Sequence, residues 1–171
     1  DVTFADGADI ITASAGTSNF RAGVNAGNSI ASGGNYNVTV GDEAGTALTT
    51  GDYLTALGYA AGTAITTGVQ NTLIGGLAGD AITTGNYNLA IGHQALSATT
   101  TANYNVAVGR SALFTNILGS HSTAIGISAL ETQNYATATA AYNVAVGHEA
   151  GLSVTTGIQN TFIGGLAGDA N

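Results

Sequence analysis

Apolar and small residues recur along the chain with a period of 17 residues. Eight copies of this unit begin at Asn37, Leu54, Asn71, Asn88, Asn105, Ser122, Asn143 and Asn160. All of the spacings are 17 residues except the one from Ser122 to Asn143, which is 21. A short and regular period indicates a solenoid, in which each coil buries against its neighbours a face that it could not bury alone. We number the residues of a unit from its first position and call the residues that share a position a column.

The first four positions of the unit predict a short β-strand. The fourth column is always a branched aliphatic residue: Val40, Leu57, Ile74, Ile91, Val108, Ile125, Val146 and Ile163. We expect the fourth column to face the coil interior, with the second column beside it, because alternate strand residues share a face. The third column is small in most copies, so the strand is apolar on both faces. The second face then needs a covering layer, most simply another copy of the chain.

Glycine and alanine mark two further fixed columns. The fifth position is always glycine, at Gly41, Gly58, Gly75, Gly92, Gly109, Gly126, Gly147 and Gly164. This column predicts a turn with positive φ or a close backbone approach. The eighth position is always alanine, which predicts contact without room for a branched side chain. A Thr-Thr-Gly segment, as at residues 49–51, is expected to close the coil, which gives two strands and two turns per unit.

The repeat domain is expected to span residues 19–171, with residues 1–18 as a degenerate coil or N-terminal shoulder. Residues 19–36 fit an 18-residue variant of the unit. The four extra residues before Asn143 fall within 133–141, which should bulge from the rod. We expect the chain to be a segment of a longer fibre protein.

The composition excludes several classes of partner. The net charge is −8, from ten acidic residues against Arg21 and Arg110, with no lysine. This balance disfavours binding to nucleic acid. No apolar run approaches the length of a membrane span, so membrane insertion is not expected. Only 7% of the residues are charged, which suits a stack in which a repeated charge would repel its own copies.

Three consecutive units resemble a known repeat. Residues 88–96 (NLAIGHQAL), 105–113 (NVAVGRSAL) and 122–130 (STAIGISAL) are similar to the YadA-like head repeats of trimeric autotransporter adhesins. They are more similar still to the related repeat arrays of phage tail fibres. The resemblance implies a left-handed parallel β-roll that is trimerised along its long axis and used for attachment. The unit is longer here than in the adhesin heads, which predicts larger outer turns around Thr-Thr-Gly.

Two columns are expected to have structural roles. The asparagine column could be a polar binding stripe, but an amide ladder at a turn is the favoured interpretation. It comprises Asn37, Asn71, Asn88, Asn105, Asn143 and Asn160. The tyrosine column could stack on sugar rings, but we favour stacking of the tyrosines on one another along the rod. It comprises Tyr36, Tyr53, Tyr87, Tyr104 and Tyr142.

The sixth column is the variable one, and variation within a fixed repeat indicates exposure. A solvated turn without a role is the favoured interpretation, because surface turns vary freely. If the segment contacts a host glycan or protein receptor, the candidate residues lie in this column and in the bulge: Tyr59, His93, Arg110, His148, Gln133, Asn134 and Tyr135. His93 and His148 lie about three coils apart, so no metal site is expected. No cofactor site is expected either.

These features predict a structural and adhesive segment of a homotrimeric fibre. A phage tail fibre, located in the virion, is the favoured interpretation, and a trimeric adhesin head on a bacterial cell surface is the alternative. An ice-binding β-solenoid is the alternative from another class, because the Thr-Thr-Gly column could present a hydroxyl array. Ser, His and Asp residues occupy unrelated columns, so no enzyme activity is expected.

Overall fold

The computed structural model describes residues 15–169, which form an all-β solenoid of parallel strands without a helix. The fold class expected from the repeat is therefore confirmed. Most of the predicted N-terminal shoulder, residues 1–14, lies outside the described residues.

One three-residue strand from each coil joins a nine-stranded parallel sheet. Its strands, in spatial order, are β1 (Phe20–Ala22), β2 (Val38–Val40), β3 (Thr55–Leu57), β4 (Thr72–Ile74), β5 (Leu89–Ile91), β6 (Val106–Val108), β8 (Thr123–Ile125), β10 (Val144–Val146) and β11 (Thr161–Ile163). Each residue pairs with its equivalent in the next coil, as Ala90 does with Ala107. The columns are therefore true ladders along the rod. The pairing of β1 with β2 also confirms that residues 19–36 form a coil of the same kind.

The prediction that the fourth column faces the coil interior is wrong. The third column points inward instead, and Ala90, Ala107 and Ala124 are fully buried there. The first column shares this inward face, because alternate strand residues point the same way. The second and fourth columns point outward. A coil of 17 residues is narrow, so its inner strand face takes small side chains and the branched aliphatic residues lie outside.

Large side chains in the core come from different columns in different coils. In the coils that begin at Asn88, Asn105 and Ser122, the third column is alanine and a fully buried leucine occupies the ninth column: Leu96, Leu113 and Leu130. In the coil that begins at Asn71, Leu73 fills the core and the ninth residue is Gly79. A Cβ atom on Gly79 would lie 2.8 Å from Leu73 Cδ2. In the coils that begin at Leu54 and Asn71 the ninth residue is glycine, and Ile65 and Ile82 of the twelfth column are fully buried. The core volume is therefore filled from different columns in different coils.

The expectation of two strands per coil is also wrong for most coils. Residues of the seventh column adopt left-handed backbone conformations, as at Gln94 with φ 59° and Ser111 with φ 59°. Such residues interrupt an extended chain, so the rest of the coil consists of turns. The exception is a second, two-stranded sheet formed by β7 (Gly119–Ser120) and β9 (Thr139–Ala140), where the insertion occurs.

Candidate functional site

The outward face of the nine-stranded sheet is an apolar surface that the coil itself leaves uncovered. It is formed by the second and fourth columns, which are mostly Val, Ile, Leu and Thr. Leu57, Ile91 and Ile125 remain 45%, 36% and 40% exposed. Val106 and Val108 are only half-buried beside them. A regular aliphatic ladder that extends over the whole sheet exceeds the scattered apolar residues of an ordinary surface.

A ladder of aromatic rings lies next to this face, at the last position of most units. The rings of Tyr87 and Tyr104 stack with a centroid distance of 4.9 Å and an interplanar angle of 3°. His121 continues the stack at 4.9 Å from Tyr104 and 5.0 Å from Tyr142. Tyr36 and Tyr53 form a second stack. The predicted stacking along the rod is confirmed, and it occupies ring faces that a sugar would otherwise use. Sequence reasoning missed that His121 belongs to this ladder, although its position in the unit is that of the tyrosines.

The sixth column is an exposed ladder on the other side of the outward face. The backbone carbonyls of His93 and Arg110 accept hydrogen bonds from the seventh residues of the following coils, at 3.0 and 2.9 Å. Tyr59 is 63% exposed, and His93, Arg110 and His148 are exposed as well. The predicted exposure of this column is therefore confirmed. His148 Nε2 lies 3.6 Å from Glu149 Oε1, the only close contact between a basic and an acidic side chain among the described residues.

The asparagine column forms the predicted amide ladder inside the coil. Asn88 Nδ2 donates to the carbonyl of Ala102 at 2.9 Å, which ties the strand to the turn that closes the same coil. Asn88 Oδ1 accepts from the backbone N–H of Asn105 at 3.1 Å, which ties the coil to the next one. Asn71 and Asn143 make equivalent bonds. The side-chain amides are hydrogen-bonded within the rod, and those of Asn71, Asn88, Asn105 and Asn143 are buried. This column is therefore not available as a binding stripe.

The insertion at 133–141 does not bulge as a whole, because its first residues turn inward. Gln133 is fully buried and Tyr135 is only 7% exposed, so the expectation that these two residues are available to a receptor is wrong. Asn134 is half-buried, and Ala136, Thr137, Ala138 and Ala140 form the exposed part of the insertion.

Gln133 and Tyr135 turn inward because Ser122 replaces the asparagine that starts the other coils nearby. Gln133 Nε2 donates to Ser122 Oγ at 3.1 Å and to Asn116 Oδ1 at 3.3 Å. Gln133 Oε1 accepts from Asn143 Nδ2 at 2.8 Å. The glutamine therefore bridges the gap in the amide ladder. Thr99, Asn116 and Gln133 occupy the twelfth column, which is Leu or Ile in the earlier coils. This change from apolar to polar residues was the signal in the sequence that Gln133 belongs to a buried polar network.

The Tyr135 hydroxyl completes the buried network. It donates to the Gly157 carbonyl at 2.7 Å and accepts from Asn143 Nδ2 at 3.1 Å. Burial raises the pKa of Tyr135, and the bond from Asn143 partly offsets this rise. Because the folded-state pKa lies above that of the unfolded chain, this contribution to stability is present below about pH 10 and is lost as the pH rises further.

The structure does not bring the two sets of candidate receptor contacts together. The insertion stacks on the closing turns of the adjacent coils, since Asn134 N donates to Thr155 O and Thr139 N donates to Leu118 O. The sixth column instead bonds to the seventh column of the next coil, as Ser111 N does to His93 O. A ligand that contacts His93 and Arg110 would therefore lie on a different ladder from one that contacts Thr137.

Within residues 15–169, no group of three or more His, Asp or Glu side chains is placed to hold a metal ion. No helix of the described chain could span a membrane. Comparison of the chain with protein-family models, with curated proteins and with solved structures found no match in any of the three.

Proposed function

We propose that the chain is a non-enzymatic segment of a homotrimeric attachment fibre, of the kind found in phage tail fibres, with a bacterial trimeric adhesin head as the alternative setting. The observation that carries the proposal is the aliphatic outward face of the sheet. Leu57, Ile91 and Ile125 are each more than a third exposed. Covering such a ladder with copies of the same chain would remove this apolar area from water at about 25 cal/mol per Å².

The coil also supports the role of a rigid spacer. Every described coil is tied to the next one by strand pairing, and most are tied also by the amide ladder and by turn hydrogen bonds such as Thr66 N to Thr83 O at 2.9 Å. A rod of this kind holds surface residues at a distance from its base. Three parallel copies would present each exposed column three times, so that weak contacts add up to strong attachment.

The alternative of an ice-binding surface is less well supported by the threonine columns. In the earlier coils the first threonine of the pair uses its hydroxyl within the rod, since Thr49 Oγ1 donates to Thr66 O at 3.0 Å and Thr66 Oγ1 donates to Thr83 O at 3.2 Å. The second threonine, as at Thr67 and Thr84, is exposed, and both threonines are exposed only in the last pair, Thr155 and Thr156. One rank of free hydroxyls remains, and it is interrupted where Ile117 and Leu118 replace the pair.

Adjacent residues of β6 provide a matched test of the proposal. Val108→Asp places a carboxylate on the outward face and should leave a single coil intact, but it should prevent the chains from associating. Ala107→Asp places the same carboxylate in the coil interior and should unfold the coil, because an unpaired buried charge is costly.

Light scattering would give the mass of each variant, and circular dichroism would report its fold. We expect Val108→Asp to be folded and monomeric, and Ala107→Asp to lose β structure. A Val108→Asp variant with the same oligomeric mass as the wild type would contradict the assignment of the outward face as the interface.

A further inference from the structure

Most of the basic side chains in this acidic chain lie in one exposed column. The sequence contains five Arg and His residues, namely Arg21, His93, Arg110, His121 and His148. His93, Arg110 and His148 occupy the sixth column in three of four consecutive coils. Ile127 occupies the same position in the fourth of these coils. Stacked coils are about 4.8 Å apart, so the three basic groups span roughly 14 Å along the rod.

Arg110 is not used by the fold. Its side chain is exposed and makes no hydrogen bond or ion pair with any residue between 15 and 169. Arg21 differs, because its Nη1 donates to the Gly27 carbonyl at 3.0 Å and its side chain is half-buried. The guanidinium of Arg110 therefore retains all five of its N–H donors in a planar arrangement that matches a carboxylate.

The surroundings of Arg110 are neutral or apolar. On one side of Arg110, the seventh column carries Gln94, Ser111 and Ser128 in the coil of Arg110 and its two neighbours. On the other side, beyond the glycine column, the fourth column carries Ile91 and Val108. Glu149 is two coils away, roughly 10 Å by the layer spacing, and it already contacts His148. Charges separated by more than about 8 Å are largely screened at physiological ionic strength. No acidic side chain occupies the fourth to seventh columns of the coil of Arg110 or of either neighbouring coil.

This combination suits a sugar that carries a carboxylate. The carboxylate can accept two parallel hydrogen bonds from Arg110, the C–H face of the ring can pack on the exposed side chain of Ile127, and hydroxyl groups can bond to the imidazole of His93. From this we infer that the sixth column binds an acidic polysaccharide whose chain runs along the rod, with Arg110 as the central contact. The inference rests on the proposed function, because it names the chemical class of the receptor that the fibre would contact.

The test uses the full chain and three defined polymers. Immobilised polygalacturonate, which carries one carboxylate per sugar, is the probe, and neutral dextran and dextran sulfate are the comparisons. Wild-type protein should bind polygalacturonate and should not bind dextran. Arg110→Gln should weaken this binding about tenfold or more, because a charge-assisted bidentate contact is lost. Arg110→Lys should retain only part of it, since an ammonium group lacks the planar pair of donors.

Thr101→Glu is the matched control for net charge. It changes the charge by the same amount as Arg110→Gln but lies on the exposed threonine rank, and we expect it to bind polygalacturonate like the wild type. An equal loss in both variants would mean that overall charge governs binding and would overturn the inference. Failure of the wild type to bind polygalacturonate would also overturn it, as would equal or tighter binding to dextran sulfate.

The mass of each sample, measured by light scattering in the same buffer, separates this inference from the proposed function. A trimer that does not bind polygalacturonate would overturn the inference and leave the fibre proposal intact. A monomer would contradict the fibre proposal whatever the polymer does.

Discussion

At the scale of single residues, Gly75 and Gly76 are neighbours with very different surroundings. Gly75 has φ 131°, and a Cβ atom there would lie 2.6 Å from the carbonyl oxygen of Gly92 in the next coil. A side chain at Gly76 would find its nearest neighbour, His93 Cδ2, at 3.6 Å, which is an ordinary contact. The fixed glycine column therefore results from both a left-handed backbone and a close approach between coils, as the sequence predicts. The sixth column can vary because a side chain there meets no close neighbour.

We therefore expect Gly75→Ala to lower the stability of the rod by about 2 kcal/mol or more, because backbone strain and a backbone clash add together. Gly76→Ala should change stability by no more than about 0.5 kcal/mol. Thermal unfolding of the two variants at one fixed chain concentration would measure the difference. Similar melting temperatures for the two variants would refute the packing described for the fifth column.

At the scale of the coil, the sequence predicts the period, the strand and the glycine turn, but it does not predict which strand face is inside. The regular aliphatic residues of the fourth column suggested an interior, whereas the interior accepts mainly small residues such as Ala90 and Ala107. The asparagine column contained the missing information. Asn88 and Ala90 share a face by strand alternation, and Asn88 must be inward because its amide links the strand to its own closing turn.

The insertion was located correctly from the spacing, but the sequence analysis did not predict its packing. Glutamine is usually exposed, and the polar residues Thr99 and Asn116 in the same column were the one signal that Gln133 is buried. Its burial follows from the neighbouring coils, where Ser122 leaves space and Asn116 and Asn143 supply partners. The irregular spacing suggested that the extra residues are exposed. Gln133 is buried instead because it takes the place of the missing amide at Ser122.

Gln133→Leu should therefore lower stability by about 1–3 kcal/mol, because Ser122 loses a buried partner. The matched control is Gln70→Leu, which makes the same change at an exposed position in a regular coil, and it should have an effect within about 0.5 kcal/mol. Chemical denaturation would compare the two variants. If Gln133→Leu proved as stable as Gln70→Leu, the buried network would have no part in holding the insertion.

At the scale of the whole molecule, the chain is a rod whose long faces differ in chemistry. The outward sheet face is aliphatic, an aromatic ladder borders one side of it, and the exposed sixth column borders the other. The sequence shows that a second face needs cover, since each strand is apolar on both sides. Only the structure shows that this face carries the larger side chains, such as Leu57 and Ile125. Chain association would therefore bury more apolar surface than the sequence suggested.

The solution mass of the wild-type chain over a dilution series tests the central claim most directly. Light scattering coupled to size-exclusion chromatography should give a mass three times the 16.7 kDa of a single chain, and this mass should remain constant on dilution, because the aliphatic face of each copy is covered by the others. A mass of 16.7 kDa at every concentration would contradict the account, since the outward face would then be stable in water without a partner.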